Sequence, residues 1–550
     1  MDYKIRKNEA RKCPFRIFAD QAGYLPGAEK RAVIPFECDS FELADVQGNI
    51  VFEGKTTDCG FDRASGDRVM TADFSDFTRC GRYRVRAGGE TSAEFAIGND
   101  VYRGLSESVL KAFYFLRCGC GLTEEFAGKF THAPCHTENA LLWEDREVSL
   151  DVHGGWHDAG DYGRYVTAAA CALAHLLYGY KLYPNAARSL CTHIPESGNG
   201  VPDILNECRY ELEWLLRMQS PEGGAYHKVT TAGHAMFIMP EEDRDQLYVF
   251  PVSSMATADM AAVFALAAGV FSEYDGDFAG TLKAAAERSY AWLEKNPGFT
   301  GFDNPEGCTT GGYGERDDFS NRYWAAAEMY ALTGEDKYHS DMKKALNKQF
   351  PLTFLGYEQI GGLGSLAYLM CPHETDAALR SKLREAFCDR ASHLKEIADK
   401  CGYGVAMNEL DYHWGSSMEV LKRAMVFNIA DFVSGDKKYS RYALRQLHYI
   451  MGVNAVGYSY VTGHGEFCCN YPHLRQVYAD GIEECIPGFV SGGANSHPCD
   501  EEAKRLIPEG TAPMKCYADC TGSFSLNEVT IYWNSPAVMT LLAAAEDNFR

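Results

Sequence analysis

Asn99-Asp100-Val101-Tyr102-Arg103-Gly104-Leu105-Ser106-Glu107-Ser108-Val109-Leu110-Lys111-Ala112-Phe113-Tyr114-Phe115-Leu116 is the stretch across which the hydrophobic period of the chain changes. Upstream, apolar residues come in short β-branched or aromatic runs (31–36, 41–43, 50–52, 81–85) separated by Gly and Asp turns. Side chains of a strand alternate between faces, so short runs with frequent turn signals predict an all-β sandwich, assigned to residues 14–98. Downstream, apolar residues recur at spacings of three and four. That period predicts helices over 106–116, 165–182, 202–218, 256–271, 282–293, 322–332, 337–349, 377–397, 418–433, 442–451 and 536–545. Helices of this length, joined by short turns and by long Gly/Asn/Pro loops, suit an all-α barrel of helical hairpins over residues 105–550, with its functional loops at one end.

Composition narrows the partners. With 550 residues and 46% hydrophobic content the chain buries a large core in more than one domain. A formal charge of −23 excludes nucleic acid and anionic membrane surfaces, since nothing offsets repulsion from phosphate. Residues 1–9 contain no apolar leader core, and no later run reads as long and apolar enough to span a bilayer. Twenty dispersed cysteines in so large a chain read as reduced thiols, hence a cytoplasmic protein, or a secreted one if a leader was removed.

Two segments carry chemistry. In Gly154-Gly155-Trp156-His157-Asp158-Ala159-Gly160-Asp161-Tyr162-Gly163-Arg164-Tyr165, two carboxylates sit on a glycine-punctuated turn walled by aromatics. Glycines permit positive φ, which lets Asp158 and Asp161 converge on one water. In Tyr517-Ala518-Asp519-Cys520-Thr521-Gly522-Ser523-Phe524-Ser525-Leu526-Asn527-Glu528, the last residue is an acid among apolar and aromatic neighbours. Desolvation there favours the protonated acid, whereas an aspartate on a wet turn stays ionised. That asymmetry is what cleavage of a glycosidic bond requires.

Both segments resemble glycoside hydrolase family 9, the cellulase family. Tyr517, Asp519, Phe524, Glu528, Thr530, Asn534 and Ser535 fill the fixed places of one family signature, and Pro472-His473-Leu474-Arg475 falls in another. Phe467 stands where the family usually carries Asn, Lys or Arg, and Asn454-Ala455 where it often has Asn-Pro. The resemblance implies an (α/α)6 barrel preceded by an immunoglobulin-like domain, the latter also signalled by Asp20-Gln21-Ala22-Gly23-Tyr24. It implies hydrolysis of β-1,4-glucan or cello-oligosaccharides with inversion. Asp161 would be the general base, Asp158 its partner in holding water, and Glu528 the general acid. Inversion needs room for water, roughly 6.5–9.5 Å between the carboxyl groups. His473 and Arg475 resemble the family's sugar-gripping pair beside the cleavage point, and Asp519 its acidic neighbour that positions groups near Glu528 on the substrate side. Trp156, Tyr165 and Trp324 are candidate stacking faces, Trp324 equally a core residue. The resemblance leaves endo and exo action open, including β-glucosidase and β-glucosaminidase activities. A silent glycan-binding protein is the alternative of another class.

Cys118, Cys135, His136 and His157 offer two thiolates and two imidazoles, a closed tetrahedral zinc set, with Cys120 a rival for Cys118. Such an ion would be structural, tying the catalytic loop to a segment upstream. A zinc hydrolase using His157 is the alternative enzyme. Glu196, Asn199, Asp203, Asp317 and Asp318 offer oxygens of the kind calcium prefers, although Asp203 equally suits the first turn of a helix.

Overall fold

The computed structural model describes residues 11–546; residues 1–9, read above for a leader, and the last four of the C-terminal module lie outside the described part. The chain forms two compact units, Met1–Ala112 with Asp389–Arg550, and Phe113–Cys388.

In the first unit, β1 (Arg31–Ile34), β2 (Ser40–Asp45), β3 (Ile50–Asp62), β4 (Asp67–Asp73), β5 (Gly81–Ala87) and β6 (Glu90–Thr91) pair in the order β1-β4-β3-β2-β5-β6, with β7 (Phe95–Ile97) also on β5. All pairs are antiparallel. The strand β3 makes the layers: it registers with β2 from Ile50 to Lys55 and with β4 from Thr56 to Asp62, so one strand serves both layers. Alternation along β5 buries Tyr83, Val85 and Ala87, which join Tyr24, Phe41, Leu43, Phe74 and Phe95 in one core. The same unit supplies packing partners for this sandwich. Arg445 holds Glu29 through two bonds of 2.7 and 2.6 Å, and His448 meets the edge of Tyr24 at 5.0 Å.

Helices Ser416–Ser434, Ser440–Ile450 and Ile531–Glu546 complete this unit. The last begins ahead of the expected start at Pro536. Thr530 Oγ1 accepts the Trp533 N–H (3.1 Å), a capping bond, and Pro536 is tolerated inside the helix close to its first turn.

The second unit is built around Val166–Leu182 and Ser254–Phe271, both buried on nearly every face. Gly276–Lys295 and Phe319–Thr333 pack on the latter. By length and apolarity Ser254–Phe271 is sufficient to cross a membrane, contrary to the expectation from sequence, but 94% of it is buried within the fold. Gly361–Leu369 is a helix that the period missed, because three of its nine residues are glycine. Those glycines serve packing: a Cβ on Gly364 would lie 2.6 Å from the Tyr323 ring. A small sheet, ordered Arg164–Tyr165, Lys228–Thr230, Tyr248–Val249, Ala140–Leu142, Ser149–Leu150, carries the loops described next.

Candidate active site and metal centre

The aspartate loop is fixed from both ends by the backbone. Cys118 N–H donates to Gly155 O, and His157 N–H to Leu116 O, both at 2.7 Å. Asp158 N–H closes the turn onto Gly163 O at 2.9 Å. Gly154 and Gly155 take φ of 96° and 77°, the left-handed backbone that glycine supplies at little cost. Gly163 is required for a different reason, since a Cβ there would stand 2.6 Å from the Tyr165 hydroxyl and 2.8 Å from Asp161 Oδ2. Beneath the loop, Arg117 grips Glu207 and Glu196 with four bonds of 2.9–3.0 Å. The Trp156 indole N–H donates to Glu207 (2.8 Å) and its backbone N–H to Glu211 (2.5 Å).

The turn is not wet, contrary to the expectation from its glycines. Asp158 is 1% exposed and Asp161 is also buried. Burial, then the neighbouring Asp161, pushes the Asp158 carboxyl well above its ordinary value. Asp158 Oδ2 accepts the Tyr313 hydroxyl at 2.5 Å, whereas its Oδ1 has no hydrogen-bond partner within the protein. Asp161 Oδ2 accepts Gly163 N–H (3.1 Å) and the Tyr165 hydroxyl (3.3 Å), with His234 Nδ1 at 3.3 Å. Tyr313 and His234 lie far along the chain from the motif, beyond any local pattern. The only sequence signal was the glycine-flanked aromatic Gly311-Gly312-Tyr313-Gly314.

Three proposed stacking rings are corrected. Trp156 and Trp324 have no face left for a sugar: Trp156 lies against Phe113 at 4.7 Å, and the Trp324 indole N–H donates to buried Glu328 at 3.0 Å. Tyr165 is buried too and spends its hydroxyl on Asp161 and on the Gly311 N–H (3.1 Å).

Cys118, Cys135, His136 and His157 place one donor atom each within 4.8 Å of one another, all buried. Burial opposes ionisation of Cys118, but the Cys135 thiol, the Arg164 guanidinium and the two imidazoles outweigh it and hold Cys118 well below the usual thiol range. His136 Nε2 is turned to Asp243 (3.3 Å), leaving Nδ1 buried and unpartnered. A thiolate, a second thiol and an orphaned imidazole nitrogen are a donor set that suits zinc, with Asp243 orienting the ring behind it. Cys120, the rival for Cys118, is outside this group.

The calcium residues do not form such a set. Glu196 is consumed by Arg117, and Asp318 by Arg322 at 2.8 Å. Asp203 Oδ2 accepts bonds from Thr192 N–H, Thr192 Oγ1 and Ser197 Oγ (2.7–3.0 Å), which tie the loop before the helix Asp203–Arg217 to its first residue. Asn199 pairs with Asn206, and Asp317 accepts Phe319 N–H.

Within the other unit, Glu528 follows the turn Phe524–Asn527 and precedes Ile531–Glu546. It is partly buried, while Leu526, Val529 and Ile531 around it are buried. His473 runs beside it: His473 N–H donates to Asn527 O, and its Nδ1 meets Thr521 O, both at 2.7 Å. Asp519 is fully buried, and accepts Asn470 and Tyr471 N–H groups (2.9 Å each) and the Cys469 thiol (3.3 Å). Buried there, it holds the backbone leading into the His473 loop. Arg475 opens the short helix Arg475–Ala479 and is largely buried. Trp414, which sequence reasoning passed over, is 45% exposed and lies 5.2 Å from Phe524, itself 6.0 Å from His473.

A paired-aspartate loop and a glutamate beside a histidine, carried by an all-α module behind an all-β one, define a glycoside hydrolase. Residues 102–541 match Glycosyl hydrolase family 9, and residues 14–92 the Cellulase N-terminal ig-like domain. A cellodextrinase of Butyrivibrio fibrisolvens is 44% identical over 96% of this chain and its own full length. The thermostable endoglucanase of Alicyclobacillus acidocaldarius, solved as a single mutant, has a TM-score of 0.91 at 34% identity, covering 97% of this chain and all of that one. A Zn-binding triple mutant of the family 9 endoglucanase J30 has a TM-score of 0.90 at 36% identity, covering 95% and 100%. The chain belongs to glycoside hydrolase family 9: an inverting β-1,4-glucan hydrolase with an immunoglobulin-like domain ahead of an (α/α)6-barrel module.

Proposed function

We propose that this enzyme cleaves cello-oligosaccharides, with Asp161 as general base, Asp158 as its partner in orienting water, and Glu528 as general acid. The observation that carries the reading is the asymmetry of the buried pair: Asp158 Oδ2 is occupied by Tyr313, while Oδ1 is left for a polar ligand. Single displacement needs a water held on one side of the anomeric carbon and a proton delivered to the leaving oxygen on the other. His473 grips the sugar beside the acid, and Trp414 offers a stacking face. The oligosaccharide preference draws support from the full-length similarity to a cellodextrinase. Product analysis on reducing-end-labelled cello-oligosaccharides and chito-oligosaccharides tests it. Cleavage of the cello series to short products is expected; release from the chito series alone would replace the substrate class.

Zinc in the Cys118, Cys135, His136, His157 set completes the reading, holding the loop that presents the aspartates and leaving no position for substrate. Metal analysis should find about one zinc per chain. Calcium at Glu196, Asp203 or Asp318 has no place in it, because arginines and hydroxyls already fill those oxygens. None of the twenty cysteines, all among the described residues, is joined in a disulfide, which supports action in a reducing compartment on imported oligosaccharides. Cell fractionation tests this, with activity in the soluble cytoplasmic fraction expected.

A further inference from the structure

His227 and Lys228 are consecutive residues of the second unit, and Lys228 lies opposite Tyr165 in antiparallel register. The Lys228 ammonium is buried. It donates to Asn304 Oδ1 (2.7 Å), Thr310 Oγ1 (2.9 Å) and Gly311 O (2.6 Å), with Cys308 Sγ at 3.5 Å. Phe250 and Phe302 flank it at 4.5 and 5.4 Å. Burial pulls this lysine down to about 8, against the pull of Cys308 and the Asp161 carboxylate, and the three oxygen acceptors satisfy its buried N–H donors. His227 grips the next carbonyl, its Nε2 meeting Gly312 O at 2.7 Å while its ring stacks on Phe302 at 4.0 Å. Asn304 Nδ2 donates to Thr310 O (2.6 Å) and closes the loop on itself.

What this loop delivers is chemistry. Gly311 N–H donates to the Tyr165 hydroxyl, which bonds Asp161. Two residues on, Tyr313 holds φ at 52°, a left-handed backbone that an aromatic residue adopts only when its surroundings impose it. Its hydroxyl is the donor to Asp158.

We propose that Lys228 is a positioning residue for hydrolysis: it clamps residues 304–313 so that Tyr165 and Tyr313 reach the two aspartates. The proposal rests on the reading that Asp158 and Asp161 activate water. Without the ammonium, the loop loses three bonds at once, the Tyr313 backbone relaxes, and Asp158 loses its donor. Sugar-gripping groups elsewhere are untouched, so the loss falls on kcat.

The test uses the full chain and cellotetraose. Lys228→Met should lower kcat about 10–100-fold, the cost of a small misplacement, with KM within about threefold of the parent. Tyr313→Phe should do the same, and the double variant should be no worse than the poorer single one, because both act through one link. A folded Lys228→Met with kcat within about threefold of the parent, or losses that multiply in the double variant, would overturn the clamp. Should Lys228→Met not fold, Asn304→Ala, which removes one acceptor and the internal strut, takes its place in the same cycle, and the same two results would overturn the clamp. Asp161→Asn separates the two claims. Retained turnover there sinks the catalytic reading, whereas abolished turnover beside a silent Lys228→Met sinks the clamp alone.

Discussion

The aspartate loop and the glutamate turn are braced by different means. Around Asp158 and Asp161 the supports are side chains and charges: Arg117 with two glutamates, a cysteine–histidine cluster, two tyrosine hydroxyls and a buried lysine. Around Glu528 they are hydrogen bonds from neutral groups to a carboxylate and an amide: the Ser523 and Ser525 hydroxyls on Asp500 (2.9 and 2.5 Å), the Tyr517 hydroxyl on Asn527 Oδ1 (2.8 Å), and His473 N–H on Asn527 O (2.7 Å). A base must hold a water at one spot, which rewards rigid and buried support. In the proposed roles an acid must reach a leaving oxygen, and a partly buried glutamate on a short turn keeps that reach.

The comparison breaks most visibly with the leaving group. Glu528→Gln and Asp161→Asn should each lower kcat on cellotetraose about 10²–10⁴-fold. On a dinitrophenyl cellobioside, whose leaving group needs no proton, Glu528→Gln should recover most of its activity and Asp161→Asn none. Equal losses on both substrates would erase the division of labour.

Acid sharpens it next. Burial holds His227 down to about 3 in one unit, and His464 down to about 4 in the other. A histidine whose folded pKa lies below its unfolded value of about 6.5 must shed its proton to fold, so its contribution is complete above about pH 6.5 and lost as pH falls toward the folded value. For fully buried His227 the loss is on the order of 4 kcal/mol, and for partly exposed His464 it is smaller. Calorimetry between pH 7 and 4 should show the melting temperature falling, with His227→Gln flattening the slope more than His464→Gln.

The metal cluster separates the halves again. Cys135→Ser should abolish zinc stoichiometry and lower kcat about 10–100-fold, with Glu528-dependent discrimination between leaving groups retained. Unchanged metal content would remove the ligand assignment. The smallest effect belongs to Trp414→Ala, a rise in KM of up to about tenfold for loss of one stacking face, kcat unchanged.

What sequence exposed was the local part of this machinery. Most long helices and the Cys118, Cys135, His136, His157 grouping were readable because each depends on period or spacing within one part of the chain. Tyr313 and Lys228 were not, since their roles arise only when distant segments fold onto the aspartates. Trp156 and Trp324 misled for the opposite reason: aromatic identity says nothing of which face a ring presents, and both are core. The calcium oxygens were real, but Arg117, far upstream in the chain, had already claimed Glu196. Gly361–Leu369 was hidden because its glycines answer to the carbonyls of Pro351 and Phe354 and the ring of Tyr323, not to helix propensity.

The apolar helix Ser254–Phe271 has an implication for biosynthesis. Two of its covering helices, Gly276–Lys295 and Phe319–Thr333, follow it in the chain. A nascent polypeptide that has emerged only as far as residue 275 carries this apolar stretch of 18 residues with Val166–Leu182 to pack on, but with those two later helices still inside the ribosome. The stretch gains all of that later cover only once residue 333 has been made.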